Sequence, residues 1–245
     1  MDRDTLLSVF SSSGPIILPV IHVINDQQVE LNIRIALDNG CKGIFLINHD
    51  FPYPQFIPLI CNIRERFPQL WLGVNFLGIT GHIAFPILGT LKSKGIMVDA
   101  YWADDARINE KLAIDKQIEA KEILNVKKNS GWDGLYFGGT AFKKQRKVEV
   151  EDYSLAASIA SDYMDIVTTS GVATGQAPNL SKVKIFRKAC KSTPLALASG
   201  TTRKNASIYA SYVDIFMVAT GINIKGDFYN IETKALRELI NIINK

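Results

Sequence analysis

Residues 165–175 read DIVTTSGVATG, residues 194–201 read PLALASGT, and residues 213–221 read VDIFMVATG. Each stretch opens on a short, β-rich apolar run and closes on a hydroxyl side chain next to glycine: Ser170-Gly171, Ser199-Gly200-Thr201 and Thr220-Gly221. Apolar runs without strict alternation are what parallel strands covered on both faces require. Amphipathic stretches at 179–191 and 203–212 separate the runs and are long enough for crossover helices. The repeated unit is a strand, a polar loop and a helix.

Working outward, the same unit recurs upstream. Apolar runs lie at 15–23, 43–48, 70–77, 96–102 and 134–139, and amphipathic stretches at 27–39, 54–67, 82–94, 110–129 and 150–161. A last amphipathic stretch, 232–244, follows the eighth run. Gly40 and Gly95 stand directly after two of these stretches, where a left-handed residue ends a helix. Eight strand–helix units predict a closed, parallel eight-stranded (β/α)8 TIM barrel rather than an open doubly wound sheet. No Pro/Ser-rich linker or low-complexity tract divides residues 1–245, so one barrel domain is expected, with a longer loop at 103–108.

Composition narrows the function classes. Hydrophobic residues make up 47% and charged residues 21%, which suits a globular protein with a large core. Lys plus Arg is 28 against 24 for Asp plus Glu, a net charge of +4 that is too small and too dispersed to suggest a nucleic-acid partner. Cys41, Cys61 and Cys190 are odd in number and lack metal-ligand spacing, so neither a disulfide framework nor a zinc site is expected. No apolar run approaches the ~20 residues of a membrane span, and the mixed charge of Met1-Asp2-Arg3-Asp4 does not resemble a signal peptide. A cytoplasmic protein is the expectation. Aromatic residues such as Tyr153 and Tyr209 permit a homo-oligomer without demanding one.

In a barrel of this kind, chemistry sits on the loops after the strands. The hydroxyl–glycine ends of the last three strands predict a phosphate site. Glycine lets backbone N–H groups approach an anion, and small hydroxyls add donors. The expected phosphate-binding residues are Ser170, Gly171, Gly175, Ser199, Gly200, Thr201, Thr220 and Gly221. Strand ends in the first half carry His22, Asn25, Asn48, His49, Asp50 and Asn75, then Asp99, Trp102, Asp104, Asp105 and Arg107, then Lys143. Of these, His49, Asn75, Asp99, Asp104, Asp105 and Lys143 are the candidate catalytic set, as acid, base or oxygen ligands of Mg²⁺. Asp99 lies inside an apolar run, where a carboxylate needs a partner or a function. A structural reading competes: Asp50 and Asp105 could cap a turn or helix instead. No HExxH, GxSxG or P-loop sequence is present, and no lysine lies on a strand for Schiff-base chemistry.

The stretches at 72–75, 101–107, 134–139, 170–175, 198–201 and 213–221 resemble those of the BtpA family. The resemblance implies a (β/α)8 fold and a relation to SgcQ-like proteins of sugar gene clusters. It also brings in a link to photosystem I accumulation and the phosphoribosyltransferase labels some relatives carry. His22-Val-Ile-Asn25 departs from the Pro-rich loop expected after the family's first strand. Two functions follow as expectations. One is an enzyme acting on a phosphorylated sugar or nucleotide; the other is a non-enzymatic assembly factor that keeps an anion-binding barrel.

Overall fold

A computed structural model describes residues 1–143 and 145–244. Eight parallel strands close into one barrel in sequence order: β1 (Ile16–Val23), β2 (Gly43–Asn48), β3 (Trp71–Asn75), β4 (Ala100–Ala103), β5 (Leu135–Gly139), β6 (Ile166–Thr169), β7 (Leu195–Ala198) and β8 (Ile215–Val218). A helix α1 (Arg3–Val9) precedes the barrel. The helices after the strands are α2 (Asp26–Asp38), α3 (Tyr53–Arg66), α4 (Gly81–Ser93), α5 (Ile118–Ser130), α6 (Tyr153–Ala160), α7 (Leu180–Cys190), α8 (Ala206–Tyr209) and α9 (Thr233–Ile243). The expected (β/α)8 architecture is what the chain forms.

Strand periodicity divides the buried side chains into two clusters. Ile16, Leu18, Val20, Phe45, Ile47, Ala100, Trp102, Phe137, Ile166, Ala196, Ala198, Ile215 and Met217 point inward and fill the barrel. The alternate positions, such as Ile44, Leu46, Tyr101, Tyr136 and Phe216, join the helices in a surrounding layer. Gly73 is required on β3 because a Cβ there would lie 2.3 Å from the Phe45 ring, which packs edge-on against Phe137 at 5.0 Å. Helix α1 was not foreseen. Its Asp2 cap accepts from Thr5 N–H, and its Leu6 and the following Phe10 enter the inner cluster, Phe10 against Trp71 at the barrel floor.

Helix boundaries follow local chemistry. Gly40 and Gly95 adopt φ of +84° and +80° as the helices before them end, as expected. Helix α5 begins at Ile118 rather than near residue 110. The Gln117 amide instead binds Asn109 on both faces, and Glu110 is buried against Arg146.

A threefold pattern at the amino ends of the even strands settles the place of Asp99. Its carboxylate accepts from the Leu72 N–H of β3 at 2.8 Å and from Arg64 of α3 at 2.7 Å. Asp165, before β6, accepts from Tyr136 N–H of β5 at 2.8 Å and from Lys127 of α5 at 2.8 Å. Asp214, before β8, accepts from Leu195 N–H of β7 at 2.8 Å and from Arg187 of α7 at 2.7 Å, with Arg3 added at 2.6 Å. Each carboxylate ties an even strand to the odd strand before it and to the helix that leads into that odd strand. The expectation that Asp99 follows β4 and faces the mouth is therefore corrected: it precedes β4, at the opposite end of the barrel.

Candidate functional site

The carboxyl ends of the strands enclose a small cleft of about 30 Å³. Its floor is the top of the inner cluster, with Val20, Ile47, Trp102, Ala198 and Met217. Its rim divides chemically. His22 comes from the end of β1 and His49, Asp104 and Lys143 from the loops after β2, β4 and β5, while Thr174, Gly175, Ser199 and Thr220 come from those after β6, β7 and β8.

On the first side, Asp104 continues the inward register of Ala100 and Trp102 and is buried. Its carboxylate accepts from Asn75 Nδ2 at 3.1 Å. Asn75 Oδ1 is buried without a hydrogen-bond partner, as is Trp102 Nε1. Buried polar atoms left this way carry a cost of ~1–3 kcal/mol each. The Lys143 ammonium lies over the Phe142 ring, 5.8 Å from its centroid, and Phe142 packs against Trp102. Gln145 holds this loop in place by donating to the carbonyls of Asp104 and Gly139, each at 2.7 Å. Asp105 lies outside the cleft lining. Its carboxylate accepts from Arg107 N–H at 2.8 Å, a turn rather than the helix cap considered from sequence. Asp50 accepts from the Tyr229 hydroxyl at 2.8 Å.

His22 was passed over as a candidate, although Ile16, Leu18, Val20 and His22 share one parity and the first three lie inside the barrel. The ring stacks on Phe228 at 3.8 Å and meets His49 edge-on at 4.9 Å. Lys182 of α7 also escaped notice. Its buried ammonium donates to the carbonyls of Ala141 at 2.5 Å and Ser170 at 2.8 Å, linking the loops after β5 and β6. Desolvation there lowers its pKa from 10.5 to about 8. Burial raises the Tyr101 phenol well above its ordinary value, helped by the nearby Tyr136 and Asp104.

On the second side, the expected phosphate residues separate into two groups. Gly175, Ser199 and Thr220 line the cleft, joined by Thr174. Ser199 sits at φ +100°, and its hydroxyl bonds the carbonyls of Ala173 and Gln176 in the loop after β6. The others are engaged in loop packing. Ser170 Oγ accepts from Lys143 N–H at 2.8 Å and donates to Gly171 O. A Cβ on Gly171 or Gly200 would strike the backbone of Gln176 or Ala177 near 2.0 Å, and one on Gly221 would strike Thr201 O at 2.0 Å. Thr201 is buried beneath that crossing. Gly221 and Thr220 also border a second groove, with Arg203, Lys204 and Lys225 on its wall. Among the described residues, no group of three or more His, Cys, Asp or Glu is placed to hold a metal ion. No described helix is long and apolar enough to cross a membrane.

Residues 59–245 match the BtpA family profile. The chain belongs to the BtpA family. It is similar to the photosystem I biogenesis protein BtpA of Synechocystis, with 23% identity over 82% of this chain and 73% of that protein. Among solved structures, the tryptophan synthase α subunit of Legionella pneumophila superposes with a TM-score of 0.64 and 14% identity, covering 100% of this chain and 99% of that one. Phosphoribosyl anthranilate isomerase of Thermus thermophilus gives 0.59 and 12%, covering 94% of this chain and 98% of that one. At such identities these two likenesses establish the fold alone.

Proposed function

We propose that this BtpA-family barrel is an enzyme acting on a phosphorylated sugar or nucleotide, with the phosphate held by Gly175, Ser199 and Thr220. The observation that carries this reading is the divided rim. Small hydroxyls and glycine line one wall, while Asp104, Lys143 and two histidines line the other, across an apolar floor. A phosphate on the first wall would leave the adjoining carbons beside the second, where an acid and a base are available. The two structural neighbours, one named for a phosphoribosyl substrate, fit a barrel of the phosphate-binding kind. The name of the Synechocystis relative favours a second reading, an assembly factor that retains the anion site. Against a binding-only role stands the polar rim, with its aromatics set back from it. Tyr53 and Phe56 pack on Phe76 in the outer layer, and Trp102, on the cleft floor, packs against Phe142.

A thermal-shift series with inorganic phosphate, ribose 5-phosphate and nucleoside monophosphates tests the proposal. A ligand at ~100 times its Kd stabilises the folded state by ~2.7 kcal/mol, a rise in Tm of several degrees. Thr220→Glu should abolish the rise by putting a negative charge where the phosphate sits. If no phosphorylated compound shifts Tm, the enzyme reading falls and the assembly reading leads.

A further inference from the structure

We infer that His22 is the proton-transferring residue of the cleft, working through Nε2, with its tautomer set by the backbone of residue 228. The inference rests on the proposed phosphate-bearing substrate and adds the group that would act on it.

His22 is buried at the end of β1 and lines the cleft. Its Nδ1 lies 2.9 Å from the Phe228 carbonyl oxygen. A carbonyl oxygen can only accept, so Nδ1 must carry the hydrogen. In the neutral ring the lone pair then belongs to Nε2, the nitrogen that can take a proton. Such a second contact is how proteins choose between the two imidazole tautomers.

The carbonyl that makes the choice is itself held firmly. Phe228 O also accepts from Asn223 Nδ2 at 2.8 Å. The loop from β8 to α9 is strapped across the first two strand ends: Tyr229 O accepts from Gln28 and Asn32, Tyr229 hydroxyl donates to Asp50, and Ile231 N–H donates to Asn32 Oδ1. Gln28 also donates to His22 O, so one side chain joins the strap to the histidine's own backbone. The Phe228 ring lies flat on the imidazole, 10° from parallel. Ring and hydrogen-bond direction are thus fixed together, which a histidine serving only as packing would not need.

In the proposed step, Nε2 takes a proton from the bound substrate and the ring becomes an imidazolium. The Nδ1–H bond to Phe228 O shares the new charge. The imidazolium then returns the proton to a different atom of the same substrate. The ring and its charge end as they began, so the step consumes no metal, oxidant or second substrate.

The chain has three histidines, which makes the test direct. In ¹⁵N-histidine-labelled protein near neutral pH, assigned with His49→Gln and His82→Gln, the His22 Nδ1 should appear protonated and Nε2 unprotonated. The reverse tautomer overturns the inference whatever the cleft binds. Ribose 5-phosphate should then move the His22 Nε2 resonance, while inorganic phosphate moves the amide signals of Gly175 and Thr220 and leaves Nε2 in place. If ribose 5-phosphate saturates those amides without touching Nε2, the His22 role fails and the phosphate reading stands. If neither probe moves any of these signals, the phosphate reading fails and takes the substrate of this step with it. His22→Asn keeps a donor at the Nδ1 position and removes Nε2. It should hold the phosphate-induced amide shifts at wild-type levels while slowing turnover of any accepted phosphorylated substrate ~10²–10⁴-fold. Turnover within a few-fold of wild type overturns the role.

Discussion

Raising the pH from 7 to 10.5 should strengthen the fold through Lys182. The buried ammonium is desolvated between the loops after β5 and β6, and its pKa falls from 10.5 to about 8. Below pH 8 both folded and unfolded chains carry the charge, and the folded state bears its desolvation cost. Between pH 8 and 10.5 the unfolded chain holds a proton that the folded chain has released, so stability rises with pH. The neutral amine can still donate to Ala141 O and Ser170 O. At ~1.4 kcal/mol per pH unit across that window, the gain is about 3 kcal/mol. Buried phenols and thiols such as Tyr101 and Cys41, whose pKa values are raised, act in the opposite direction at alkaline pH. The quantity to measure is therefore a difference. Urea unfolding of wild type and Lys182→Met should be compared at half-unit steps from pH 7 to 10.5. The stability of wild type relative to the variant should climb by about 3 kcal/mol across the series. A flat or falling difference would refute the desolvated-ammonium account.

Asp99→Asn should cost about 1–2 kcal/mol in urea unfolding and leave any phosphate-induced rise in Tm unchanged, since the carboxylate serves Arg64 and Leu72 N–H rather than the cleft. Asp214→Asn, which abandons two arginines around a nearly inaccessible carboxylate, should cost more, about 3–5 kcal/mol. Gly200→Ala should lose about 3 kcal/mol or more, because its Cβ would meet Ala177 N at 2.0 Å at a φ of +72°; retention of wild-type stability would mean the two loops do not cross there. Leu6→Ala should lower stability by ~2–5 kcal/mol by opening the barrel floor, measurable as a drop in Tm.

The eight strands could be read from the sequence because a doubly covered parallel strand has little room for polar residues, and every such run became a strand. Helix α1 could not. Seven residues with one capping aspartate have no helical signal of their own, and what fixes them is Leu6 and Phe10 reaching into a barrel assembled from the rest of the chain. The glycines after β6 to β8 were visible, but their reason was not: three of them exist where one loop backbone crosses another. The omission of His22 from the candidate set and the misplacement of Asp99 share one cause. Strand parity places His22 with Val20 and Asp104 with Trp102 inside the barrel, and Asp99 with Tyr101 outside it. That parity was readable once the strand limits were set.

The two ends of the barrel obey different rules. At the amino end, Val98-Asp99, Met164-Asp165 and Val213-Asp214 repeat one device, a carboxylate bridging a neighbouring strand and a basic residue of the helix that leads into that strand. Repetition suits stability, since the same strand-to-strand joint must be made several times. At the carboxyl end only the hydroxyl–glycine endings recur and the rest differs strand by strand: β1 contributes a histidine held by the Phe228 carbonyl, β3 and β4 an Asn–Asp pair, and the loop after β7 a serine in a strained backbone. Strain and orphaned polar atoms such as Asn75 Oδ1 and Trp102 Nε1 are costs that packing alone gives no reason to keep. Those of Asn75, Trp102 and Ser199 lie at the end where a ligand could offset them. The stable repeat below carries the irregular cleft above, and function is best sought where the repeat breaks.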